Sequence, residues 1–168
     1  MHYEIIRELK KMLVNLDKWL ETATQFAQSK SFDPNVFVGM RLAPDQFPLS
    51  RQIQTACDTA KFGAARLSGK EMPSNADNEQ TIEELRARVR SMVSYLDGFT
   101  AKDFEGAGAR VISTPRWEGK VMSGTDYLME HVMPNFFFHV THCYAILRHN
   151  GVALGKMDYL GSLSLRAP

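Results

Sequence analysis

From Tyr3 to about Ala27 the apolar residues Ile5, Leu9, Met12, Leu16, Leu20, Ala23 and Phe26 return at steps of four and three. Glu4, Arg7, Glu8, Lys10, Lys11, Asp17, Lys18 and Glu21 fall between them. A recurrence near 3.6 residues puts the first set on one helix face and the second on the other, so a first amphipathic helix is expected here. The stretch SKSFDPNVFVGMRLAPDQFPLS then loses the period, with Pro34, Gly39, Pro44 and Pro48 inside it. Those residues are disfavoured in a helix interior, and the stretch reads as a long connection able to cross over a bundle.

Pro48 suits the opening of a second helix over 48–69, where Ile53, Ala56, Cys57, Ala60, Ala64 and Leu67 make a seam of small side chains. Gly69 is the expected left-handed C-terminal cap, and Pro73 prevents continuation. Asp77 with Gln80 resembles a capping box for a third helix that carries Ile82, Leu85, Val89, Met92 and Leu96. Residues 98–124 are glycine-rich around the runs ARVIST and GKVM, a pattern compatible with a short β-hairpin in which Trp117 covers one end of the bundle.

Ser123 with Asp126 signals a fourth helix whose stripe is Met133, Phe137, Val140, Tyr144 and Leu147, ended by Asn150 and Gly151. Pro134 should bend or interrupt its first turns. The segment after Gly151 reads as an irregular extension, with Lys156 and Asp158 as a local tie. Four amphipathic segments that cannot hide their stripes alone predict an all-α fold, a four-helix bundle in one domain over 1–168.

Composition narrows the function without naming it. At 168 residues one core suffices, burying roughly 70% of the surface the unfolded chain exposes. Twenty basic against 19 acidic residues leave a net charge of +1, which argues against a nucleic-acid partner. The two cysteines, Cys57 and Cys143, lie in apolar helical patterns, so no disulfide framework is expected. A charged, amphipathic N-terminus unlike a secretory signal, and apolar runs far short of the ~20 residues of a membrane span, point to the cytoplasm with no membrane partner.

The strings APDQFPLSRQIQTACDTAKFGAARLSG and NFFFHVTHCYAILRHNGVALGKMDYLG, with FHVT, CYAILRHNG and LGKMDYLG close together in the second, resemble a bacterial domain-of-unknown-function branch of the DinB/YfiT-like metalloenzyme superfamily. The similarity runs over essentially the whole chain. It implies an up-down-down-up bundle, homodimerisation, and a divalent metal such as zinc or nickel held by one histidine of the second helix and two of the fourth spaced HxxxH. This sequence departs from that ligand set. Residues 48–69 contain no histidine, and the position four beyond His139 is Cys143. A bound metal is therefore not carried over by the resemblance.

The remaining candidates follow from helical spacing. His139 and Cys143, one turn apart, could offer nitrogen and sulfur to one ion, with Asp58 as the third ligand; the plainer reading makes His139 a hydrogen-bonded flank of the core and Cys143 a packed apolar residue. Asp58 and Lys61 read as a surface ion pair beside Gln54, or, if that flank faces a pocket, as polar anchors of a small-molecule site shared with His139 and Tyr144. His142 and His149 fall opposite the apolar stripe and are expected to be exposed, while His131 and His2 have no evident partner. Arg148 complements the last turn of the fourth helix. Phe136, Phe137 and Phe138 are assigned to the core and a subunit contact. No phosphate loop, nucleophile elbow or paired-carboxylate site is present in the sequence. Two functions remain: a noncatalytic homodimeric bundle with a degenerate metal site and a small-molecule pocket, or a metal- or thiol-dependent transferase rebuilt around His139 and Cys143.

Overall fold

The computed structural model describes residues 1–167. Helix α1, His2–Ser29, buries a face wider than the expected stripe, because Ile6, Leu13 and Trp19 join Leu9, Met12, Leu16, Leu20 and Ala23, while Ile5 and Phe26 are only half-buried. The connection that follows carries a 3-10 turn, Pro34–Gly39, whose Phe37 is buried against Phe32.

Helix α2, Leu49–Ser68, begins one residue after Pro48, whose extended backbone makes it the N-cap. It ends at Gly69, which takes the left-handed φ of 78° that a residue with a Cβ resists. Its seam of Ala56, Cys57, Ala60, Gly63 and Ala64 is buried and lets the fourth bundle helix approach closely. A Cβ built on Gly63 would stand 2.8 Å from Val132 Cγ1.

Helix α3, Ile82–Asp97, does not open on the expected Asp77 and Gln80. Its N-cap is Thr81, with Glu84 completing the capping box. Asp77 lies instead in the segment 69–81, which runs back along α2: Asn75 meets Lys61, Asp77 meets Arg51, and Glu79 meets Gln54. That return is required by the topology. Arg86 pairs with Asp17 and Lys10 with Asp97, so α1 and α3 are antiparallel; Arg88 pairs with Asp58 and Lys70 reaches the Gly98 carbonyl, so α2 and α3 are parallel. The long return belongs to this parallel pair rather than to the first connection.

The hairpin is minimal. Strands β1, Val111–Ile112, and β2, Met122–Ser123, pair antiparallel with Val111 opposite Ser123 and Ile112 opposite Met122. Ser123 Oγ then accepts from Asp126 N, the cap read from the sequence. The fourth bundle helix is assembled from α4, Gly124–Asp126, a π-helical stretch, Tyr127–Val132, and α5, Met133–His149. Pro134 lacks an amide hydrogen and crowds the carbonyl four residues back, and the widened π turns before it accommodate both effects. Thr59 meets Asn135 and Gln52 meets His139, which makes α2 and α5 antiparallel, while Trp19 against Tyr144 and Phe26 beside Gly151 make α1 and α5 parallel. The bundle is thus up-down-down-up, with α3 and α5 at opposite corners.

The tail is more regular than expected. Helix α6, Lys156–Leu160, is capped by Asp158, which accepts from Gly155 N at 2.7 Å and leaves the expected Lys156 tie unmade. Trp19 Nε1 donates to the Asp158 carbonyl and Asn15 Nδ2 to that of Tyr159, which docks α6 on α1. No helix among the described residues is long and apolar enough to cross a membrane.

Candidate functional site

Beside its buried seam, α2 presents Arg51, Thr55, Asp58, Thr59, Phe62 and Arg66 at steps of three and four. Across from it, the π stretch and α5 present Tyr127, His131, Asn135 and His139 at steps of four. Between these stripes lies a groove of about 580 Å³, roofed at one end by the hairpin residues Thr114–Trp117 and reached at the other by Phe47. That volume is within the roughly 300–1,000 Å³ of small-molecule sites. A second hollow, beside Tyr3, Arg7 and Phe99, has about 30 Å³, room for about one water.

Of the residues predicted to share a pocket, Asp58 and His139 both line this groove. Tyr144 does not: it packs on Trp19 and donates to the Leu154 carbonyl. Nor does Lys61. The expected surface pair is corrected, because Lys61 is only 4% exposed and its ammonium is held by Asp58 Oδ1 at 2.8 Å and Asn75 Oδ1 at 2.7 Å.

His139 is buried, as the plainer reading held, and its Nδ1–H donates to Gln52 Oε1 at 2.6 Å. The Gln52 amide is itself oriented by donating from Nε2 to the Phe47 carbonyl. Burial, then the neighbouring His142 and Arg51, lowers the His139 pKa to about 4, so the ring is neutral at physiological pH. Gln52 is the α2 residue that meets His139, and an amide oxygen is a poor ligand for zinc or nickel. Cys143 is fully buried, and its thiol is pushed well above the ordinary value by desolvation. Cys57 is raised to about 12 for the same first reason. A thiol binds metal and attacks electrophiles as thiolate, so neither cysteine is poised for either task. Among the described residues no three His, Cys, Asp or Glu side chains come together to hold an ion. The donor set does not fit the superfamily's metal.

Two clusters went unread in the sequence. The first is Arg88, whose side chain is 3% exposed and binds Asp58 at 2.8 Å, Asp77 at 3.1 Å and Glu79 at 3.1 Å. Desolvation opposes its charge, but the carboxylates overcome it and its pKa stands above the ordinary arginine value. The signal was present: Arg88 follows Leu85 by three residues and belongs to the buried face of α3. The second cluster closes the hairpin end of the groove. His131 stacks on Tyr127 and meets the edge of Trp117, and Arg66 donates to Tyr127 Oη at 3.0 Å. Burial, then Arg66 and Arg116, lowers the His131 pKa, and its Nδ1 is enclosed without a partner. Only the fold brings these residues together.

The other histidines divide. His149 is exposed as expected, whereas His142 is half-buried and donates from Nδ1 to the Phe138 carbonyl. His2 is not loose, since its Nε2 lies 3.2 Å from Thr125 Oγ1. Of the three phenylalanines, Phe136 is in the core, Phe137 half-buried and Phe138 exposed.

A family profile described as Domain of unknown function (DUF1993) matches residues 1–160. The chain is similar to a DinB family member protein from Shewanella denitrificans, known from its crystal structure, with 47% identity, a TM-score of 0.95, and coverage of 99% of this chain and 95% of that one. Among curated proteins nothing matches.

Proposed function

The chain belongs to the family Domain of unknown function (DUF1993), in the DinB-like branch of helical bundles, and from that premise we propose that it is a small-molecule-binding bundle whose superfamily metal site has degenerated. The observation that carries this reading is the groove between α2 and α5: it has the size of a ligand site, and the histidine within it is held by Gln52 instead of converging with other ligands. Asp58, Asn135 and the groove's arginines supply polar anchors between the aromatic walls of Phe62 and Trp117. We place the protein in the cytoplasm, where its two free thiols are in keeping with reducing conditions.

We further propose that the protein is a homodimer. Support comes from an exposed aromatic patch beside the open end of the groove, where Phe47 is 51% and Phe138 54% exposed and both rings flank His139. Sedimentation equilibrium of wild type and Phe138→Ser tests this; a monomer at micromolar concentration overturns it.

Two measurements test the main reading. Elemental analysis of protein purified without a histidine tag should find far less than one transition-metal ion per chain, and one tightly held zinc or nickel overturns the degenerate site. A fragment screen by protein-observed NMR should shift resonances of Thr59, Trp117 and Asn135, and a library that leaves them unmoved overturns the pocket.

A further inference from the structure

The groove is electrostatically lopsided. Three guanidinium groups, of Arg51, Arg66 and Arg116, face it against the single carboxylate of Asp58. Asp58 is already committed, since both Arg88 and Lys61 bind its Oδ1. Arg51 is likewise matched by Asp77 at 2.8 Å. Arg66 and Arg116 differ: the ion pairs of this region run through Arg51, Lys61 and Arg88, and neither of these two arginines has a carboxylate partner among the described residues.

Arg66 is also held in place rather than left in solvent. Its guanidinium lies 4.8 Å from the Phe62 ring centroid and 5.8 Å from that of Tyr127, and Nη1 is spent on Tyr127 Oη. The rings and the Tyr127 hydroxyl hold the guanidinium in place and leave other N–H donors unused, an arrangement suited to a planar anion. Arg116 lines the same end of the groove from the hairpin loop, next to Trp117, whose half-buried indole forms an apolar wall. Nearby, His131 carries a ring nitrogen that is enclosed and unpaired. A cation pair without counter-ion, set between aromatic rings at one end of a groove, needs an anion with an apolar body to complete it.

Resting on the pocket reading above, we propose that the hairpin end of the groove binds an aromatic carboxylic acid, its carboxylate between Arg66 and Arg116 and its ring against Trp117 and Phe62. The donors at this end are the side chains of Arg66, in the last turn of α2, and Arg116, in the hairpin loop, rather than a row of backbone amides, and a planar guanidinium fork matches a carboxylate.

The test pairs acids with their neutral amides: benzoate and phenylacetate against benzamide and phenylacetamide, followed by Trp117 fluorescence with Trp117→Phe as the control that leaves only Trp19 emission, and indole-3-acetate against indole-3-acetamide, followed by the NMR shifts of Thr59 and Asn135. At least one acid should bind at least tenfold more tightly than its amide, and Arg116→Gln, an exposed-site change, should weaken it at least tenfold. Arg66→Lys, which keeps the charge but loses the planar fork, should weaken it by a smaller factor. Equal binding of acids and amides, or acid binding unaltered in Arg116→Gln, overturns the anion assignment while the pocket reading stands. Inorganic phosphate displacing every acid at equal concentration overturns the carboxylate class. If no acid binds, this inference fails, and the neutral arm of the fragment screen separately decides whether the groove binds ligands at all.

Discussion

His139 Nδ1 stands 2.6 Å from Gln52 Oε1, a bond between residues 87 positions apart that joins the two helices lining the groove. It fixes the ring tautomer with the proton on Nδ1, and burial lowers the pKa from 6.5 to about 4. In the unfolded chain this histidine takes up its proton near 6.5, whereas in the folded chain it does so only near 4. The unfolded state therefore binds more protons between those values, and stability falls as pH drops through that window. His139→Gln should flatten the fall in urea midpoint measured across it, leaving a residual slope from His2 and His131, whose pKa values are also lowered by burial. An unchanged slope would show that His139 is protonated in the folded protein.

Arg88→Met should cost about 3–5 kcal/mol, because it leaves Asp58, Asp77 and Glu79 clustered without the cation they share. Arg88→Lys should recover part of this, a point charge serving fewer carboxylate oxygens than a fork. A loss below about 1 kcal/mol by equilibrium denaturation would mean that these acids are satisfied by solvent.

Gly63→Ala drives a methyl group into Val132, a stiff and buried neighbour, and should cost about 1–3 kcal/mol. Val132→Ala in the same chain should relieve the clash, so the double variant should be more stable than the sum of the single losses requires. Additive thermal shifts would sink this account.

What was legible in the sequence was local. The α1 stripe, the Gly69 stop, the Ser123 cap and the disturbance at Pro134 are local physics, and local spacing announces them. Asp77 was misread for the opposite reason. Its spacing to Gln80 imitates a cap, but the parallel placement of α2 and α3 requires a return along α2, and Arg51 and Arg88 claim the carboxylate there. Lys61 was misread as exposed because, although its pairing with Asp58 follows from helical spacing, nothing near it in sequence shows that Asn75 will cover it. At the candidate site, His139 and Asp58 were visible as types on helix faces. Arg66, Arg116, Trp117 and His131 were not, since three separate segments bring them together.

Neither cysteine should react in the folded protein. Iodoacetamide at mildly alkaline pH should label none of Cys57 or Cys143 on the timescale that labels both in denaturant, because burial raises both thiols far above that pH. Rapid native labelling of Cys143 would revive the thiol-dependent transferase reading.

Trp19→Phe removes the indole donor that reaches the Asp158 carbonyl at 3.0 Å. Amide exchange across α6 should accelerate by at least about fivefold, roughly 1 kcal/mol of lost protection, while α3 is unaffected. Uniform acceleration everywhere would instead signal global loss of stability.

The antiparallel seam of α2 and α5 has a consequence for synthesis. Its cross-links, Gln52 to His139 and Thr59 to Asn135, span 87 and 76 positions, so little of this wall forms from neighbours in sequence. A nascent chain emerging from the ribosome in order has three helices well before it has α5, and until then the small-residue face of α2 remains wet. During that interval the half-made bundle offers chaperones an apolar strip that the finished protein conceals.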